Sequence, residues 1–170
     1  MTTFARRTLL ALLFVASTFP VATARAGGDW NDQGIAWQSY DAGLAQAKKD
    51  KKPVCLVFFT EWCPHCTNYS KVFHDPAVVA KSKDFVMVRL DKDKNGEVSG
   101  KYAPDGQYIP RTFFLSPSGE LLDVTAPRDQ YKYFYDEADP KSVLGGMDAA
   151  LCNCLGFGSK NSALVLGRAQ

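Results

Sequence analysis

The stretch Pro53-Val54-Cys55-Leu56-Val57-Phe58-Phe59-Thr60-Glu61-Trp62-Cys63-Pro64-His65-Cys66 decides the reading of this chain. Its first part is a continuous apolar run rich in valine and phenylalanine, the pattern of a strand covered on both faces. It then breaks at Thr60-Glu61-Trp62 and delivers two cysteines with two residues between them. Such a spacing alone also suits zinc and other metals. The position argues otherwise, because Pro64 fits the first turn of a helix, where its missing N–H costs nothing. Cys63 then caps the positive end of that helix, and unpaired backbone N–H groups there stabilise a thiolate. The thiolate is the attacking species, and such a placement can lower a cysteine pKa to about 3.5–7.5. His65, between the sulfurs, adds a positive or hydrogen-bonding group. Cys66, one turn inward, is suited to attack a mixed disulfide and release its substrate. No second Cys-x-x-Cys completes a zinc site, and the other histidine is the isolated His74, so no metal is expected.

Outward from this segment the pattern is that of an α/β domain. Asp41 to Asp50 reads as a helix, with Lys48 and Lys49 at the negative end of its dipole. A helix is expected from Cys63 to about Phe73, with a second piece through Ala77 to Lys81. Phe85 to Leu90 is another buried-type strand, and a short strand is expected at Ile35 to Gln38. Asp91 to Gly106 is polar and turn-rich. It begins as Asp91-x-Asp93-x-Asn95-Gly96, the first half of a calcium loop. Position twelve is Tyr102 rather than Glu, which favours a solvated turn. Thr112 to Leu115 and Glu120 to Val124 flank Ser116-Pro117-Ser118-Gly119 and predict a hairpin. Asp139 and Pro140 open a last helix whose apolar face is Leu144, Met147 and Leu151. The expected architecture is a central mixed sheet flanked by helices.

The N-terminus reads as an address. Arg6 and Arg7 precede the apolar stretch Thr8 to Val21, and Ala24-Arg25-Ala26 fits a small-x-small cleavage site, so residues 1–26 are expected to be a signal peptide. The apolar stretch is short of the roughly 20 residues of a spanning helix, and no membrane anchor is expected after cleavage. Losing Arg6, Arg7 and Arg25 takes the 20 basic residues to 17 against 18 acidic ones, a formal −1. Nothing in that balance suggests nucleic acid. Residues 27–155 are then one domain, with 156–170 as a flexible tail. All five cysteines (Cys55, Cys63, Cys66, Cys152 and Cys154) would sit in a periplasmic or otherwise secreted, disulfide-permissive compartment. Cys55 reads as an inert core thiol. Cys152 and Cys154, at adjacent helical positions that point apart, read as structural or free thiols, or as an auxiliary exchange or metal-binding pair.

Phe58 to Cys66 resembles the strand, loop and active-site helix of the thioredoxin superfamily, and Tyr108-Ile109-Pro110-Arg111 its cis-proline loop. The resemblance implies a cis bond before Pro110, a substrate chain pairing with the backbone of Ile109, and a Trp62 that shields the dithiol. A narrower likeness rests on Trp37, Lys52-Pro53, Pro104 to Arg111, Pro117-Ser118-Gly119 and Tyr131 to Tyr135. It is to the anterior-gradient branch, which includes small thioredoxin-domain proteins of the endoplasmic reticulum. The Pro-His pair between the cysteines resembles the DsbA oxidases, which implies a strongly oxidising disulfide. One departure stands out. Many thioredoxins carry a buried carboxylate six residues before the first cysteine, and here that position is Val57. Proton removal from Cys66 must then rely on water, Glu61 or His65.

Taken together, the expectation is an extracytoplasmic thiol–disulfide oxidoreductase. Cys63, Cys66, His65 and Pro64 carry the chemistry, and Trp62, Ile109 and Pro110 the substrate. Its partners are protein thiols and a redox partner protein; it is expected to be a monomer that needs no cofactor. Two rivals use the same residues: a Cu(I)-binding protein, since soft thiolates suit that ion, and a non-catalytic client-binding module. The tyrosines of 131–135 either line a substrate groove or, as the favoured reading has it, pack under the hairpin.

Overall fold

The computed structural model describes residues 27–156; the expected signal peptide, 1–26, and residues 157–170 of the expected tail lie outside the described residues. The elements run α1 (Tyr40–Asp50), β1 (Val54–Phe59), α2 (Pro64–Val72), α3 (Pro76–Ser82), β2 (Val86–Asp91), α4 (Gly96–Lys101), β3 (Arg111–Leu115) and α5 (Pro140–Gly156). The sheet order is β2-β1-β3, with β2 parallel and β3 antiparallel to the central β1. The expected mixed α/β architecture is therefore present, and its centre is the strand that the apolar run predicts.

Period-two alternation along β1 divides the interior into two cores. Val54, Leu56 and Phe58 face one, with Ala47 of α1, Val86, Val88 and Leu90 of β2, and Phe113 and Leu115 of β3. Cys55 and Val57 face the other, where Cys66, Tyr69 and Val72 of α2 meet Val143, Met147 and Ala150 of α5. A strand buried on both faces cannot alternate apolar with polar residues, which explains the unbroken run in the sequence.

The helix boundaries follow their capping chemistry. Asp75 accepts from the N–H groups of Ala77 and Val78 and starts α3 behind Pro76. Asp139 Oδ1 accepts from the N–H of Lys141 at 3.0 Å and opens α5 before Pro140 as the sequence predicts. Among the described residues, no helix is long and apolar enough to cross a membrane.

Three local expectations are corrected. The strand at Ile35 to Gln38 is a single parallel bridge between Gln38 and Val88, because Trp30 and Trp37 turn inward to pack on Phe73. The polar segment 91–106 contains α4, which begins after an Asx turn in which the N–H of Asp93 donates to Asp91 Oδ1. The hairpin's second arm is only a bridge, Leu115 to Leu121, joined by the Leu122 N–H donating to Phe114 O at 2.9 Å. Beyond it the edge of β3 passes to another segment, since the Thr112 N–H donates to Tyr133 O at 2.8 Å. The edge that a full second strand would have used is thus shared.

Candidate active site

Strand β1 ends at Phe59, and after three intervening residues the chain enters α2 through Cys63. This residue is extended (φ −85°, ψ 117°) and is the N-cap of the helix, with Pro64 at the first helical position. Its Sγ accepts the backbone N–H of Cys66 at 3.4 Å, and its carbonyl accepts from Thr67 at 3.1 Å. The sulfur of Cys63 therefore takes the role that a serine or aspartate oxygen plays at other helix starts, beside the positive pole of α2. Cys63 is only 4% exposed and Cys66 is fully buried.

The two sulfurs have unequal surroundings. Burial pushes the Cys66 thiol far above its ordinary value. A backbone hydrogen bond from Thr60 works against this, while neighbouring Cys63 and then the Glu137 carboxylate push the same way as burial. Cys66 is thus held as a neutral thiol. Val57, at the position where a buried acid was looked for, is fully buried among apolar side chains. Glu61 is turned away to Lys94, 2.7 Å from its ammonium.

His65 projects outward from α2, its side chain 61% exposed, and meets a residue that the sequence reading missed. Glu137, from the segment before α5, places Oε2 at 2.9 Å and Oε1 at 3.1 Å from His65 Nδ1. Asn68 Nδ2 also donates to Glu137 Oε1 at 3.5 Å. Phe134 packs edge-on to the imidazole, 5.9 Å between ring centres. Glu137 is 72 positions from His65, and no local spacing announces that contact.

Trp62 is 70% exposed, and its indole N–H donates to Asp93 Oδ2 at 2.8 Å. Asp91 pairs with Lys94 at 3.2 Å, so the acidic residues of this turn are engaged by Trp62 and a lysine. The Ile109–Pro110 bond is cis, and Ile109 packs against the core cluster that contains both cysteines.

Ile109 and His65 share a cleft of about 470 Å³ with Tyr108, Arg128, Tyr131 and Phe134, with Glu137 in its wall. The expectation that the tyrosines of 131–135 pack under the hairpin is half corrected. Tyr133 and Tyr135 are buried, whereas Tyr131 and Phe134 line this cleft. Arg128 stacks 4.8 Å from the Phe134 ring centre, and Tyr108 meets Tyr131 at 4.8 Å. The cleft is aromatic, with Arg128 and the carboxylates of Asp136 and Glu137 in its wall, and His65 links it to the start of α2.

Cys55 lies at the centre of the sheet, fully buried, and burial raises its thiol far out of the reactive range. Cys152 is exposed on α5 and Cys154 half-buried; burial raises the Cys154 thiol.

Comparison with known proteins gives a concordant picture. The thioredoxin-like family model matches residues 36–117. The chain is 34% identical over 125 residues to the anterior gradient protein 2 homolog of Homo sapiens, covering 72% of this chain and 69% of that one. With anterior gradient protein 3 of Mus musculus it is 32% identical over 149 residues, 84% and 85% of the two chains. A thioredoxin from Thermus thermophilus superposes with a TM-score of 0.56 at 19% identity, over 74% of this chain and 94% of that structure. That last likeness shows the fold.

Proposed function

The chain belongs to the thioredoxin-like family, in the company of the anterior gradient proteins, and from this premise we propose that it is an extracytoplasmic thiol–disulfide oxidoreductase. Cys63 attacks or is attacked, a mixed disulfide forms beside Ile109 and Pro110, and Cys66 resolves it. The observation that carries this reading is the asymmetry of the pair. Cys63 caps α2 and keeps a small exposure of 4%, while Cys66 is fully buried one turn behind it with its N–H on the Cys63 sulfur. A pure binding module has no use for the second, hidden thiol.

In this reading Pro64 sets the helix start, His65 supplies a charged or hydrogen-bonding group between the sulfurs, and Trp62 flanks the reacting centre. Ile109 offers its backbone to an extended substrate chain, which runs as an added strand along the cleft. The substrates are protein thiols and disulfides, with a separate redox protein restoring the pair. The extracytoplasmic location rests on the sequence of residues 1–26.

The test is trapping. Cys66→Ala should accumulate mixed disulfides through Cys63, and Cys63→Ala should accumulate none. Wild-type protein inert toward insulin or a dithiol peptide, together with an empty trap, would falsify the reading. The reduction potential then assigns direction: a value near about −120 mV marks an oxidant and one near −270 mV a reductant.

A further inference from the structure

We propose that Glu137 is the positioning partner of His65, and that the two form the proton acceptor serving Cys66 when it resolves a mixed disulfide. This deepens the oxidoreductase reading and rests on it. A buried thiol must lose its proton before it can attack. Val57 has no group to take that proton, and Glu61 is committed to Lys94. The acid that meets the active-site helix is Glu137, from the segment before α5, and it does so at His65.

The geometry resembles a base held by an orienting carboxylate. Both oxygens of Glu137 lie within 3.1 Å of His65 Nδ1, and Phe134 closes on the edge of the ring. A carboxylate accepting from Nδ1 selects the tautomer with its hydrogen there and leaves the Nε2 lone pair free to accept. The carboxylate is itself held. Asn68 donates to Oε1, and the preceding residue is tied to α5, the Asp136 N–H donating to Ser142 Oγ at 3.0 Å. The charged and titratable groups around the pair are Cys63, Cys66 and Lys71 on α2, with Tyr108, Arg128, Tyr131 and Asp136 along the cleft.

Cys63 has attacked a substrate disulfide, expelled one sulfur as thiolate and kept the other as a mixed disulfide. Cys66 gives its proton to His65 Nε2 through an intervening water. Its sulfur lone pair forms the Cys63–Cys66 bond, and the electron pair of the mixed disulfide leaves with the substrate thiolate, which is then protonated. The dithiol is oxidised and the substrate disulfide reduced; the reverse direction returns the proton from His65.

The test isolates that step with 5,5′-dithiobis(2-nitrobenzoate) as the probe, in a Cys152→Ser, Cys154→Ser background. The first equivalent of thionitrobenzoate reports the mixed disulfide. The second is released by Cys66, at a rate independent of probe concentration. Glu137→Gln should slow the second release about tenfold at pH 7, less than the roughly 10²–10⁴-fold of general acid–base catalysis because water still accepts the proton. The wild-type and variant rates should converge near pH 9.5, where hydroxide takes the proton. Glu137→Asp should recover part of the rate. His65→Gln should match Glu137→Gln, and the double variant should be no slower, as expected of groups acting as a unit.

A faster release in Glu137→Gln would overturn the inference, because removing a merely repelling charge eases Cys66 ionisation. So would an unchanged rate, or one slowed equally at every pH. A wild type that releases only one equivalent removes the resolving role of Cys66 itself, and the oxidoreductase reading fails with it.

Discussion

The guanidinium of Arg111 donates through Nη1 to the carbonyl oxygen of Tyr102 at 2.6 Å, deep inside the domain. The same nitrogen reaches Gly106 O at 2.9 Å, and Nη2 donates to the hydroxyl of Ser99. The guanidinium carbon lies 5.1 and 5.7 Å from the ring centres of Phe58 and Phe113. Arg111 is fully buried at the start of β3, directly after Pro110. It ties the segment from α4 to the cleft onto the sheet, using carbonyl groups where a buried cation would ordinarily demand a carboxylate.

Arg111→Lys should therefore be far from conservative. An ammonium cannot reproduce the fork that spans Ser99, Tyr102 and Gly106. The loss should be about 2–4 kcal/mol, the cost of leaving buried acceptors and a buried charge badly matched. Urea unfolding of the reduced protein checks it, and a midpoint equal to that of wild type would contradict the clamp.

Gly43 is buried in α1, where an added methyl would run into the Val88 side chain on β2. Although alanine favours a helix, Gly43→Ala should destabilise the protein by about 1–3 kcal/mol through overpacking. Gly100, with open space around a would-be methyl, is the control and should tolerate alanine.

Alkaline pH should destabilise the reduced protein. Burial raises the Cys55 thiol above its value of 9.0 in the unfolded chain, so the folded state keeps a proton that the unfolded state releases. Stability is full below about pH 9 and falls as pH rises beyond it, by up to about 1.4 kcal/mol per pH unit for each such thiol. Melting curves between pH 8 and pH 10.5 should slope less steeply in Cys55→Ala than in wild type.

Iodoacetamide should discriminate among the five thiols of the reduced protein at pH 7.5. Cys152 is exposed and should be modified, and Cys63, 4% exposed at the start of α2, should follow more slowly. Cys55 and Cys66, both fully buried, should stay unmodified until denaturant is added. Peptide mapping by mass spectrometry reads the order, and Cys66 labelling ahead of Cys63 would reverse the assigned roles.

Tyr131→Ala and Arg128→Ala test the cleft. Both side chains are exposed, so each change should alter stability by no more than about 0.5 kcal/mol. Each should raise KM for a disulfide peptide about three- to tenfold while kcat stays within twofold, because neither touches the sulfurs. An equal fall in kcat would move them from binding to chemistry.

Much of the fold is legible along the chain because it rests on local chemistry. The apolar run of β1, the Pro64 and Pro140 helix starts, and the Asp75 and Asp139 oxygens act within a few residues of themselves. The misreadings share one cause. The polar run 91–106 hides α4, whose buried residue is Ser99, turned toward Arg111 rather than toward an apolar stripe. Glu120 to Val124 has strand-like composition, yet the edge of β3 is divided between Leu122 and Tyr133, and only the folded chain sets that division.

The same division runs through the site. Sequence determined the dithiol, its place at a helix start after a buried strand, and the absence of an acid at Val57, since all of these are relations between neighbours. Tertiary structure alone decided that Glu137 would stand against His65, that Glu61 would be spent on Lys94, and that Tyr131 would line a cleft while Tyr133 filled a core. Helix and strand periods fix which way a side chain points along its own element. The partner it meets across 72 positions depends on how α2 and α5 pack over one face of β1, and no short-range pattern carries that information.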